Sequence, residues 1–439
     1  MHHMRQIRWG CGLCAALLGI GAAIVARPAS CDTTGADVPV ASASHAMRRV
    51  GVRDAVFHPV NGSVDQSDAL QHAADALSAG QRLILAPGSY VVGRSLVVKR
   101  PRVVISGYGA TLIATDPDDQ TIVMQGEGTT LAGVTLIGIG TTRLETVNST
   151  KVDVTGRGVQ VLDVTIDGGA SAGIFVDGGT NVALVGNEVR ATLADGIHVT
   201  NRARNVLVQG NVVRGTGDDM IAVVSYRKDG GLSGNVLIVG NSLEGNAWGR
   251  GVAVVGGENV TIAGNTVRGV RTGAGILVAQ EDGYGTYDAT NVVVANNAVS
   301  DIQDSAYRNA DRPQTEQAAI DLNAGSGAVS RVAVTGNRID RSHYAGVRTL
   351  GNVCGIRVSD NRLVGIGGTP IARQSCGCGP GPAVKGHANT VNGVVLASPI
   401  DSAADEEGFN ISGANVRLLP QVRNFVRRSR QDTSDMPGR

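Results

Sequence analysis

The chain has 439 residues, a formal net charge of +1, 61 glycines and only 3% aromatic residues. Balanced charge gives no electrostatic basis for binding nucleic acid or a membrane surface, and the length is ample for a large core. Abundant glycine with scarce aromatics suits tight turns around an aliphatic interior.

Residues 1–31 read as an export signal: Arg5 and Arg8 precede the apolar stretch GCGLCAALLGIGAAIVA, followed by RPASC. Cys31 in that last stretch resembles a lipoprotein processing site and is a candidate for lipidation. The expected location is therefore outside the cytoplasm: secreted, periplasmic or lipid-anchored at the envelope. No membrane span is expected beyond this segment. Residues 32–50 are small, polar and aperiodic, as in a linker. Residues 51–375 form the main domain, and 376–439 a C-terminal cap with a basic tail.

At the start of the main domain, Asp65 or Ser67 is placed to cap a helix whose Ala69, Leu70, Ala73, Ala74 and Leu77 share one face. Gly80 is expected to end it. Such a helix would cover the open end of the first coil.

From residue 181 one pattern returns: NVALVGNEVRATLADGIHV, NVLVQGNVVRGTGDDMIAV, NVLIVGNSLEGNAWGRGVAV, NVTIAGNTVRGVRTGAGILV. Its turn asparagines, Asn187, Asn211, Asn241, Asn265, Asn297, Asn337 and Asn361, are spaced by 24, 30, 24, 32, 40 and 24 residues. A base period of 24 signals stacked repeats, none able to bury its own apolar face. Val and Ile alternate with period two in short runs bounded by Gly, Asn or Asp, which reads as strands. Three strands per repeat with no crossover helix predict an all-β, right-handed parallel β-helix, its coils ~4.8 Å apart. The asparagines are expected to stack into a ladder at one corner. After Asn361 the period fades.

The repeat is decorated at one place. With Ile174, Ile197, Ile221, Val252 and Ile276 stacked, Asp195, Asp219 and Arg250 fall in one column, with Asp218 beside Asp219. Strand alternation turns His198 and Thr200 outward, and Phe175 and Asp177 likewise one coil earlier. Carboxylates so close cannot all ionise cheaply, which is the basis of acid and base roles in glycoside cleavage. Insertions at 225–234, 279–290 and 301–319 are expected to wall a groove. Tyr226, Trp248, Tyr284, Tyr287, Tyr307 and Tyr344, six of the nine Tyr and Trp residues, fall in this region and suggest platforms for sugars.

Two resemblances follow from these residues. The helix with Asp-x-x-Asp-Ala-Leu-Gln (65–71), leading to Ala-Pro-Gly-Ser-Tyr, resembles the N-terminal segment of the pectate lyase superfamily, whose β-helices act on polysaccharides. GTGDDMIAV resembles the Gly-Asp-Asp motif of the polygalacturonase and rhamnogalacturonase glycoside hydrolases, and ADGI their Asn-Thr-Asp-Gly motif. The resemblance implies Asp218 as the acid that protonates the leaving oxygen. It also implies Asp219 and Asp195 as holders of the attacking water, with inversion at the anomeric carbon.

The departures are specific. The family's Gly-His-Gly is Gly249-Arg250-Gly251 here, and its Arg-Ile-Lys is Leu277-Val278-Ala279. His198 is the candidate to stand in for the histidine. An acidic polysaccharide as partner would require Arg250, Arg227 or Lys228 to replace the missing cations. The leading expectation is an exported polysaccharide hydrolase with no cofactor. A lyase or uronate epimerase on the same scaffold would use Ca²⁺ held by the three aspartates. A non-catalytic carbohydrate-binding β-helix is the third reading. In an exported chain, Cys354 is expected to bond Cys376 or Cys378.

Overall fold

The structure is a computed structural model that describes residues 54–60, 62–308, 311–375 and 384–396. The signal, the linker, Cys31, Cys376, Cys378 and the basic tail lie outside the described residues. No helix among the described residues is long and apolar enough to cross a membrane.

The 24-residue repeat folds into a parallel β-helix. Among the described residues one sheet has 13 strands, twelve of them parallel and so one per coil; the second, of 22 strands, takes two per coil. The apolar positions of the pattern stack in register: Val152, Ile174, Ile197, Ile221, Val252, Ile276, Ile320 and Val347 pair in sequence across successive strands. All eight are fully buried. Glycine precedes most of these core residues, at Gly173, Gly196, Gly251, Gly275 and Gly346, for a steric reason. A Cβ on Gly196 would lie 2.4 Å from Val213 Cγ1 and 2.6 Å from the Met220 carbonyl.

The asparagine ladder is complete. Each Oδ1 accepts from the backbone N–H and the side-chain amide of the asparagine one coil earlier, as Asn211 Oδ1 does from Asn187 at 2.9 Å. Each amide also donates to a backbone carbonyl, as Asn241 Nδ2 does to Val208 at 3.0 Å. The ladder runs one step past Asn361, to Asn389, so the repeat outlasts the sequence pattern by a coil. There the strand at 390–391 pairs antiparallel with 394–395. A second ladder, not anticipated, joins Asn181, Asn205 and Asn235 at another corner. These residues have φ of 53–58°, a left-handed conformation that Asn tolerates better than most.

The helix runs Ser67–Asp75. The N-cap is Gln66, whose side chain makes no cap bond, so neither Asp65 nor Ser67 caps the helix as expected; Asp65, one residue earlier, accepts from the Ser67 backbone N–H through Oδ1 at 2.9 Å and leads the chain into the first turn. Leu70, Ala74 and Leu77 are buried, but Ala69 faces solvent, because only a narrow stripe meets the first coil. The helix also stops before Gly80, which instead turns the following loop with φ 89°. Cys354 is disulfide-bonded.

Candidate active site

The decorated column forms as the stacking requires. Asp195 Oδ1 accepts from the Asp219 backbone N–H at 2.9 Å, and Asp219 Oδ1 from that of Arg250 at 2.6 Å. Each carboxylate thus caps the next coil, and part of its role is the structural one expected of an Asp at a turn. One oxygen of each carboxyl of Asp195, Asp218 and Asp219 lies within 4.8 Å of the others.

Local structure makes room for this. Gly249 has φ +76°, and a Cβ there would lie 2.4 Å from Asp218 Oδ1 and 2.6 Å from Asp219 Oδ1. Thr216 Oγ1 donates to the Asp218 carbonyl at 2.7 Å. The Asn246 amide donates to the carbonyls of Asp218 and Trp248, tying the two turns together.

Basic side chains are brought to the three carboxyls from several directions. His198 Nδ1 lies 2.5 Å from Asp195 Oδ2, and its ring stacks on Phe175 with centroids 4.9 Å apart. Arg143, from a loop far outside the repeat, donates to Asp218 Oδ2 at 2.6 Å. Arg250 donates to Glu281 Oε1 at 2.6 Å and sits 4.0 Å from Asp219. Burial, then the neighbouring Asp195 charge, pushes the Asp218 carboxyl up, and Arg143 offsets part of this. Burial pushes Asp219 well above the usual carboxylate range despite Arg250. The adjacent pair therefore retains a proton into higher pH than an ordinary carboxyl does.

These groups line a cleft of about 760 Å³, the size of a ligand site. Of the residues expected to bind substrate, Tyr226, Lys228, Trp248, Arg250 and Tyr284 line it. Arg227 and Tyr287 do not. They stack on each other, with the guanidinium 5.1 Å from the ring centroid, and brace the wall from behind. Tyr307 and Tyr344 also lie elsewhere: the 301–319 insertion contributes nothing to the lining. His198 Nε2 is enclosed without a partner, so the imidazole's polar contact within the cluster is the one to Asp195. Sequence reasoning missed Arg143, Glu281, Asn246 and Gly249. Gly249 alone had a signal, its place in the altered Gly-Arg-Gly.

Asp195, Asp218 and Asp219 are also the only group of three or more such side chains among the described residues able to hold a metal ion. Their oxygens already accept from His198, Arg143 and two backbone N–H groups. That leaves little of the six- to eight-oxygen shell Ca²⁺ takes.

Residues 172–363 match a family model described as a right handed beta helix region. The fold is a right-handed parallel β-helix. Among solved structures, the chain is similar to the catalytic unit of a thermostable GH87 alpha-1,3-glucanase from Streptomyces thermodiastaticus strain HF3-3. The identity is 20% over 76% of this chain and 62% of that one, with a TM-score of 0.62. The chain thus spans less than two thirds of that catalytic unit. A GH87 alpha-1,3-glucanase catalytic domain in complex with nigerose aligns at 16% identity over 76% and 69% of the two chains, TM-score 0.60. At such identities the likeness is one of fold. No curated protein sequence matches the chain.

Proposed function

We propose that this protein is an exported hydrolase of neutral polysaccharides. The observation that carries the reading is the Asp195, Asp218 and Asp219 cluster, where three carboxyls meet in an oligosaccharide-sized cleft and burial pushes the adjacent pair up. In this reading Arg143 fixes Asp218 Oδ2, and Asp218 Oδ1 delivers the proton to the leaving glycosidic oxygen. Asp195, oriented by His198, and Asp219 hold the water that completes hydrolysis. Alanine variants of GH87 alpha-1,3-glucanase catalytic domains, solved with nigerose or tetrasaccharides, replace two adjacent aspartates and a third 23 residues before the first of them. Asp218, Asp219 and Asp195 have the same spacing, which supports the assignment.

Charge supports a neutral substrate over a uronate. Seven carboxylates line the cleft, including Glu145, Asp177, Asp229 and Glu281, against Arg143, Lys228 and Arg250. Arg143 and Arg250 are already paired with carboxylates. The positions of the family's Arg-Ile-Lys hold buried Leu277 and Ala279. A polyanion would meet net repulsion here, which also weighs against a lyase or uronate epimerase.

Turnover of a linear α-1,3-glucan and of polygalacturonate, with and without EDTA, tests the reading. Reducing ends from the glucan alone, insensitive to EDTA, are expected. Ultraviolet-absorbing products from the uronate, abolished by EDTA, would overturn it in favour of a Ca²⁺-dependent lyase. The resemblance implies inversion, yet the carboxyl oxygens lie closer than the ~6.5–9.5 Å usual for inverting pairs. NMR of the first product's anomeric proton decides the stereochemistry. Export rests on residues 1–31 and agrees with a bonded Cys354. Cell fractionation tests it.

A further inference from the structure

The cleft differs at its two ends. Towards the N-terminal coils its floor continues through Phe175 and Asp177 to Val147 and Thr150. Towards the C-terminal coils it stops. The outward side chains Ala253, Leu277 and Ala279 are fully buried, in an apolar cluster on which Tyr226 packs.

The stop is built from two insertions joined by their backbones. Arg227 N–H donates to the Gly285 carbonyl at 2.8 Å, and Tyr287 N–H to the Ser225 carbonyl at 2.9 Å. The junction passes over Gly256, where a Cβ would lie 2.7 Å from the Tyr287 carbonyl. The far side is anchored as well. Asp282 accepts from Ser326 Oγ at 2.6 Å and from its N–H at 2.8 Å, and Asp288 from the Ala328 N–H at 3.0 Å. A wall with this many bonds to the solenoid is part of the folded frame.

Resting on the hydrolase reading, we propose that the cleft is blind at its C-terminal side and that the protein acts on the end of a glycan chain, not on its interior. Of the two wall segments, the 225–234 insertion leaves the strand that follows Asp219 itself, and the 279–290 insertion leaves a strand separated from it only by Val252–Val255. At one strand spacing per coil this leaves ~5–10 Å, room for roughly one or two sugar rings. The terminal unit sits against Tyr226 and Tyr284, the scissile bond at Asp218, and the rest of the chain leaves over Phe175 and Asp177.

The test is binding, so that it does not depend on turnover. The full chain carrying Asp218→Asn is titrated with a linear α-1,3-linked glucose tetrasaccharide, free or with a bulky group on its reducing or its non-reducing end. One cap is expected to weaken binding by about tenfold or more and the other to leave it unchanged. Asp282→Ala, which frees the wall from Ser326, should restore much of the lost affinity. Equal tolerance of both caps, or equal loss with both, overturns the blind cleft. The hydrolase reading is judged separately, by turnover of uncapped glucan by the native chain. Turnover that yields a broad ladder of oligosaccharides from the outset upholds hydrolysis and sinks the chain-end mode. No turnover, with no binding of the free tetrasaccharide, sinks both.

Discussion

Two corners of the same coils carry short polar side chains in register, and they behave in opposite ways. At one corner Asn187 to Asn389 repeat without a break, each amide both donating and accepting. Because the amide is self-complementary, the column closes on itself and continues from coil to coil wherever an asparagine stands at the corner. At the other corner Asp195 and Asp219 stack by a similar side-chain-to-backbone bond. A carboxylate only accepts, so its column accumulates charge that the backbone cannot neutralise. It ends after two steps, and Arg143, Arg250 and His198 come in from loops and strands to meet it. One corner contributes cohesion; the other holds unresolved charge, which is the raw material of acid–base chemistry.

Asn241→Ala should break the first corner and spare the second. It takes the acceptor from the Asn211 N–H, one of the two acceptors from the Asn211 amide, which keeps the Leu184 carbonyl, and the amide donor from the Val208 carbonyl, a loss on the order of 3 kcal/mol for buried groups. Chemical denaturation should show it, while activity per folded molecule stays near that of the native chain. Gly249→Ala is the converse. The added methyl collides with both carboxyls, and displacement of this size costs about 10²-fold in rate. Gly249→Ala, strained at φ +76°, loses some stability as well, so the corners are separated by activity per folded molecule, collapsed in Gly249→Ala and kept in Asn241→Ala; equal activity losses in both variants would show them to be one cooperative unit.

Arg143→Gln probes the imported charge. Arg143 holds the Asp218 carboxyl down against burial and Asp195; without it the acid keeps its proton to higher pH. The basic limb of the kcat/KM profile should therefore move upward. A limb that does not move removes Asp218 from the role of acid.

The smallest effect is expected at Asp153, where burial first, then Asp177, pushes the carboxyl up to about 7. Between its ordinary value near 3.8 and 7, the unfolded chain releases this proton while the folded one keeps it, so stability falls as pH rises through that window. Melting temperatures of Asp153→Asn should lose that slope. An unchanged slope would mean that Asp153 ionises normally in the folded state.

Much of this was legible in the sequence because a solenoid repeats its physics. Asn-Val, Gly-Asn and, on most of the central coils, Gly before Ile or Val mark two corners and a core column, so the register of Ile197 on Ile221 follows from counting, and the Asp195–Asp219 column with it. What escaped lies where the period does. Arg143 is 75 residues from Asp218 in a loop with no repeat to align it. Glu281 sits in an insertion, where spacing says nothing about direction. Tyr287 and Arg227 carried the right chemistry for a sugar site but turned to each other, a pairing that depends on how two insertions meet. Ala69 fell on the predicted apolar face yet meets solvent, since periodicity identifies a stripe and not its width.

The central claim is that the proton retained at the aspartate corner is delivered by Asp218. Its most direct test is the rate of glucan cleavage by the native chain and by Asp218→Asn, with binding of the α-1,3-linked tetrasaccharide measured on both. The substitution keeps the shape and removes the proton, and the account predicts a fall in kcat of ~10²–10⁴-fold with affinity largely kept. Equal rates in the two proteins would contradict it and leave the paired aspartates as caps of a turn.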